Sequence, residues 1–135
     1  MAFFNWEDRF SVGIAEIDMQ HQKLVQMLNE LYDAMKAGKG NDVLGKVLNG
    51  MIQYTASHFA TEERYMKLHG YPDFAVHKKE HDSLTQQVLE LQEQFKAGQP
   101  VLSMKVGTFL KGWLVNHISG TDMGYSPFLR AKGLK

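Results

Sequence analysis

Apolar residues in this chain recur three and four positions apart over four long tracts, the spacing of a helix that buries one face. The first tract, about 17–37, places Leu24, Val25, Leu28, Tyr32 and Met35 on one stripe, with Asp18 in its first turn and Gly38 as its stop. The second, about 42–69, opens on Asn41 or Asp42 as N-cap. It carries Leu44, Leu48, Met51, Thr55, His58, Glu62, Tyr65 and His69 in four-three alternation until Gly70. Pro72 suits the first position of a third helix, about 72–97, whose inward stripe reads His77, His81, Leu84, Val88, Leu91 and Phe95 before Gly98. A fourth, about 101–123, follows Pro100 and sets Val106, Leu110, Trp113, Leu114 and His117 on one side.

Four helices joined by connections of about three to six residues favour antiparallel neighbours. The expected fold class is therefore all-α, an antiparallel up-down-up-down four-helix bundle. Residues 1–16, with Phe3, Phe4, Trp6 and Phe10, form an N-terminal arm laid on that bundle. The tail after Gly124, with Tyr125, Pro127 and Phe128, reads as irregular. Nothing resembling a repeat or linker divides the chain, so residues 1–135 read as one domain.

Composition narrows the chemistry. Lys plus Arg total 15 and Asp plus Glu total 15, so the net charge is zero with neutral histidine and no binding to nucleic acid or anionic membrane is expected. Cysteine is absent, which removes disulfides, thiolate metal sites and thiol nucleophiles. No run reaches the roughly 20 apolar residues of a membrane span. Met1 to Phe10 lacks the basic region and apolar stretch of a secretory signal, and the expectation is a cytoplasmic monomer that is not a membrane protein. What stands out is six histidines and eight methionines in a cysteine-free chain.

Histidines and carboxylates occupy stripe positions that should be core, where unpaired polar groups cost several kcal/mol. Up-down-up-down topology brings the start of the first helix, the end of the second, the start of the third and the end of the fourth to one end. At ~1.5 Å per residue, His21 and His77 lie ~6 Å inside that end, Glu62 and His117 ~10 Å, His81 ~12 Å and His58 ~16 Å. His58 with Glu62, and His77 with His81, are i, i+4 pairs whose side chains share a helix face. His117 and Asp122 are five apart, which an ideal helix sets about 140° apart. Gly120 lies between them, so this spacing predicts a π-bulge or loosened turn there. His69 falls beyond the cluster, beside the turn, and reads as structural or exposed.

Five imidazoles and two carboxylates exceed what one ion can take and suit two ions that share the carboxylates. Nitrogen and oxygen donors without sulfur fit iron, manganese or, less well, zinc. For two octahedral ions joined by both carboxylates and one bridging oxygen, a single coordination position is left open.

These residues resemble the haemerythrin family, in its bacterial single-domain form. The matching elements are His21 in Ile-Asp-Met-Gln-His, His58-Phe59-x-x-Glu62-Glu63, Gly70-Tyr71-Pro72, His77-x-x-x-His81, and Trp113-Leu114-x-x-His117-Ile118 with Asp122. The resemblance implies a cofactor of two non-haem iron ions with a bridging oxo or hydroxo group. One iron would be held by His77, His81 and His117 and the other by His21 and His58, with Glu62 and Asp122 bridging both. It places the open position, where dioxygen binds, on the two-histidine iron. It also implies an apolar wall around that position formed by Leu24, Phe59, Trp113, Leu114 and Ile118.

The function so implied is reversible dioxygen binding for storage, transport or delivery to an oxygen-consuming enzyme. Alternatives are an oxygen or redox sensor module, a di-iron redox enzyme with peroxidase, nitric-oxide or iron-oxidising activity, and a structural zinc or manganese bundle. Substrate-oxidising di-iron bundles use mostly carboxylates, with Glu-x-x-His pairs on two helices. No such pair lies on these stripes, so the expectation is a binding protein and not an enzyme.

Overall fold

The computed structural model describes residues 4–38, 41–98 and 104–135. Phe3, Pro100 and the side chains of Asn41 and Val106 lie outside the described residues. Helices α1 (Ala15–Lys36), α2 (Asn41–Leu68), α3 (Phe74–Lys96) and α4 (Met104–Asn116) build the bundle, and a π-helical turn over His117–Asp122 leads into α5 (Met123–Ala131). α1 packs on α2, α2 on α3 and α4 back on α1, the neighbour pattern of an up-down-up-down bundle.

Helix ends follow local chemistry. Gly38, at φ 68°, takes the left-handed conformation that stops α1, and its amide bonds the Met35 carbonyl. Gly70, at φ 71°, does the same for α2 as part of a Schellman turn. There the Tyr71 amide donates to the Met66 carbonyl at 2.9 Å and the Gly70 amide to Lys67 at 3.3 Å. That turn consumes the residues up to Tyr71, so Pro72 sits in the connection, Asp73 takes the N-cap position, and α3 opens at Phe74. Pro72 is therefore not the first residue of the helix.

The tail also departs from the sequence expectation: residues 123–131 are helical, not irregular. Gly124 and Pro127 are poor helix formers, but both lie on the exposed side, while Tyr125, Ser126 and Leu129 are buried. Burial of that face outweighs propensity. The Ser126 hydroxyl also donates to the Val12 carbonyl, which ties the tail to the segment before α1.

The N-terminal arm lies on the bundle. Phe4 and Phe10 are buried with ring centroids 5.6 Å apart. The Asn29 side chain pairs both backbone groups of Phe4, accepting from its N–H at 2.8 Å and donating to its carbonyl at 2.8 Å. Asp18 accepts from the Val12 amide at 2.8 Å and from the Ser11 hydroxyl, so the acidic residue in the first turn of α1 anchors the chain entering it.

The apolar core is in two parts. One holds Leu24, Leu28, Phe59, Leu84, Leu110 and Leu114. The other holds Val12, Ile14, Ile17, Met66, Tyr125 and Leu129. Along each helix the change from one part to the other falls where the buried histidines and carboxylates sit: Ile17, His21, Leu24 on α1, and Phe59, Glu62, Met66 on α2. A polar layer thus crosses an otherwise apolar bundle.

Asn29→Ala should remove both hydrogen bonds that hold Phe4. Loss of about 1–3 kcal/mol in urea unfolding is expected, with faster proteolysis of the arm; an unchanged unfolding midpoint would show that aromatic packing alone holds it.

Candidate metal centre

Helices α1 to α3 and the π turn that follows α4 contribute to the polar layer. α1 supplies His21, α2 supplies His58 and Glu62, α3 supplies His77 and His81, and the π turn supplies His117 and Asp122. All seven side chains are buried, none more than 2% exposed. The π turn accounts for the last pair. Its wider winding brings residues five apart onto one face, where an α-helix would splay them. The expected distortion around Gly120 is present, and nothing crowds that glycine.

The inner nitrogens converge on the two carboxylates. Asp122 Oδ1 lies 2.9 Å from Nε2 of both His77 and His117, and its Oδ2 lies 2.8 Å from His21 Nε2. Glu62 Oε1 lies 2.8 Å from His58 Nε2 and 3.5 Å from His81 Nε2. The donor atoms fall into two sets, each within 4.8 Å: Glu62, His77, His81, His117 and Asp122 in one, and His21, His58, Glu62 and Asp122 in the other. Both carboxylates belong to both sets. His69 is in neither and sits half-buried at the end of α2.

Proximity here does not mean satisfaction. His21 Nε2, His58 Nε2, Glu62 Oε1, His77 Nε2 and both Asp122 oxygens are buried without a hydrogen bond among the described residues. The nitrogens approach the carboxylate oxygens to 2.8–2.9 Å without completing a hydrogen bond. His81 and His117 bring their Nε2 atoms to 3.1 Å of each other, which two lone pairs tolerate only with a proton or cation between them. Buried groups of this kind are normally paired or bound to metal. The residues fit a cation pair held by nitrogen and oxygen.

Outer hydrogen bonds fix the rings. His81 donates through Nδ1 to Glu63 at 2.9 Å, His117 through Nδ1 to Glu80 at 3.0 Å, and His58 through Nδ1 to the Gln20 amide oxygen at 2.7 Å. Each acceptor oxygen holds the ring proton on Nδ1 and leaves Nε2 facing inward. Tyr125 donates its hydroxyl to Glu62 Oε2. Burial pushes the Tyr125 hydroxyl well above its ordinary pKa of 10.0, and the charges of Asp122 and Glu62 add to the effect. That hydroxyl stays protonated as a donor.

Electrostatics of the metal-free cluster mirror the geometry. Burial opposes charging His117, but Asp122, Glu62 and Glu80 overcome it and raise its pKa well above 6.5. His21 is raised too, against burial, by Asp122 and Glu62. Burial and the Glu62 charge work against ionising Asp122, yet His117 and His21 pull its pKa down to about 2. Without metal, protons on histidine balance the carboxylates.

Two of the five expected wall residues stack on histidines of the layer. Phe59 stacks on His81 with centroids 3.8 Å apart and planes within 3°, and Trp113 stacks on His117 at 4.6 Å and 13°. Both aromatic rings therefore cover histidines of the larger set. Leu24, Leu114 and Ile118 are buried. Leu24, Trp113 and Leu114 also border an apolar cavity of about 30 Å³, together with Ile52, Leu84 and Leu110.

Sequence reasoning missed Tyr125, Glu63, Glu80 and Gln20. Three of them adjoin a candidate ligand in the chain, Gln20 before His21, Glu63 after Glu62 and Glu80 before His81. Each bonds a histidine from a different helix or turn, so adjacency alone could not have assigned the partner. Tyr125 was hidden by the reading of the tail as irregular.

A helical bundle crossed by a buried, cation-adapted layer defines the class of protein. The sequence model of the "Hemerythrin HHE cation binding domain" matches residues 12–129, and the chain belongs to that family. It is 38% identical to "Bacteriohemerythrin" of Methylococcus capsulatus over 97% of this chain and 100% of the relative. Against "Bacteriohemerythrin" of Pseudomonas aeruginosa it is 40% identical, over 96% of this chain and 84% of the relative. A crystal structure described as wild-type hemerythrin superposes with TM-score 0.89 at 38% identity, covering 95% of this chain and 98% of that one.

In the metal-free protein, charged His117 contributes stability that is complete below pH 6.5 and is lost as pH rises through its raised pKa. Asp122 contributes stability present above pH 3.8 and lost on acidification towards about 2. The melting temperature of chelator-treated protein should therefore fall as pH is raised from neutral to 9 in a calorimetric series; a rise over that range would contradict the assignment.

Proposed function

We propose that this chain binds two iron ions in the polar layer and that the iron pair binds dioxygen reversibly, for storage, transport or delivery to an oxygen-consuming enzyme. The observation that carries the proposal is the buried donor set, most of whose inward atoms have no hydrogen bond among the described residues, divided into a three-histidine and a two-histidine group that share Glu62 and Asp122. His77, His81 and His117 would hold one iron and His21 and His58 the other, with Glu62 and Asp122 available to both. The smaller group offers one imidazole fewer and would be the place for an exogenous ligand. When bound, the iron pair supplies the two electrons that reversible dioxygen binding borrows and returns.

The chain's own residues keep this exchange reversible. Leu24, Phe59, Trp113, Leu114 and Ile118 exclude water from the layer, and the neighbouring cavity of about 30 Å³ is lined mainly by apolar side chains, with the Thr55 hydroxyl already bonded to the Met51 carbonyl. Tyr125 fixes one oxygen of Glu62. Five imidazoles against two carboxylates leave the centre less anionic than the carboxylate-rich sites of oxidising enzymes, which favours a binding protein over an enzyme. Among the described residues no helix is long and apolar enough to cross a membrane, and a cytoplasmic monomer is the setting we propose.

Anaerobic iron-loaded protein should carry about two irons per chain and develop a visible charge-transfer spectrum with dioxygen that reverses under vacuum. Two irons that oxidise once without reversal would point to a redox enzyme or sensor. Leu114→Ala should admit water and speed autoxidation about tenfold or more, measured as decay of that spectrum; an unchanged rate would remove Leu114 from the wall.

A further inference from the structure

Four of the five imidazoles of the layer differ in what their outer nitrogens meet. In the larger set, His81 bonds Glu63 and His117 bonds Glu80, both carboxylates, at 2.9 and 3.0 Å. In the smaller set, His58 bonds the neutral amide of Gln20 at 2.7 Å, and His21 Nδ1 is buried with no partner among the described residues. The bridging carboxylates serve both sets and cancel in any comparison. Two anionic partners thus act on one metal position and none of the described partners of the other is charged.

An imidazole that donates its outer N–H to a carboxylate is a more basic ligand than one bonded to an amide, because the proton is drawn towards the anion and electron density is left on the ring. Greater ligand basicity stabilises the more highly charged state of the metal. Lys78 pairs with Glu63 at 3.5 Å but sits closer, at 3.1 Å, to Asp82, while Glu63 lies nearer still, at 2.9 Å, to the His81 ring. Side-chain exposure of 20% for Glu63 and 37% for Glu80 moderates their effect without removing it.

Resting on the di-iron reading above, we infer that Glu63 and Glu80 are positioning residues that make the three-histidine position the more readily oxidised of the two, while Gln20 keeps the two-histidine position electron-poor. The closed position then serves as the stronger electron donor of the pair. The open position retains its lower charge until dioxygen arrives, which guards it against one-electron loss to solvent oxidants.

The test uses the full chain loaded with iron, with stoichiometry measured first. Potentials of wild type, Glu63→Gln, Glu80→Gln and Gln20→Glu are then read by spectroelectrochemical titration. Each Glu→Gln change should favour the reduced state about tenfold, an upward shift of about 59 mV for a one-electron couple. Gln20→Glu should shift the potential downward. Opposite signs separate an electronic role from general loosening, which would move all three variants alike. A second readout needs no variant: in zinc-loaded wild type, the Nδ1 protons of His81 and His117 should resonate downfield of that of His58 by proton NMR. Potentials that stay within a twofold change in equilibrium, shifts of one sign throughout, or equal proton resonances overturn the inference. Fewer than two irons in wild type overturns the di-iron reading itself and this inference with it.

Discussion

Seven buried polar side chains, most of whose inward-facing atoms have no hydrogen bond among the described residues, set the terms for the rest of this fold. His21, His58, His77, His81 and His117, with Glu62 and Asp122, lie across the bundle at one level and are sealed from solvent on both sides by apolar residues. Such a layer without counterions would cost several kcal/mol per uncompensated group. With cations between the rings, the same convergence becomes the strongest cross-link in the molecule, joining α1, α2, α3 and the π turn through one centre. The N-terminal arm and α5 complete the sealing, since Tyr125 and Leu129 close the layer from below and Phe4 and Phe10 add to the apolar part above.

Fold and site were legible in the sequence to different depths. Helical stripes and short connections predict the bundle, and topology alone brings residues from four helices to one level. The His117 to Asp122 spacing was legible as a conflict, five residues being wrong for an α-helix, and the conflict resolves as a π turn. Two local readings failed for physical reasons. Pro72 was displaced from α3 by the Schellman turn at Gly70, whose bonds consume the preceding residues. The tail became a helix because burying Tyr125, Ser126 and Leu129 outweighs the poor propensity of Gly124 and Pro127. Outer partners such as Glu63, Glu80 and Gln20 were illegible, because a polar residue beside a ligand is ordinary helix surface until the neighbouring helix is placed.

Membership of the haemerythrin family and the buried donor set agree on the kind of chemistry while resting on separate grounds. The family comparison covers most of the chain, whereas the donor geometry concerns individual atoms. What distinguishes the site physically is the contrast between its halves: His81 and His117 have anionic outer partners on one side, and none of the described outer partners is charged on the other. Stacking of Phe59 on His81 and of Trp113 on His117 adds rigidity to the fuller half.

The most direct test of the account is anomalous diffraction at the iron edge from crystals of iron-loaded protein. The account predicts two iron peaks within the polar layer, one among His77, His81 and His117 and the other beside His21 and His58, with Glu62 and Asp122 between them. A single peak, or none inside the layer, would contradict it.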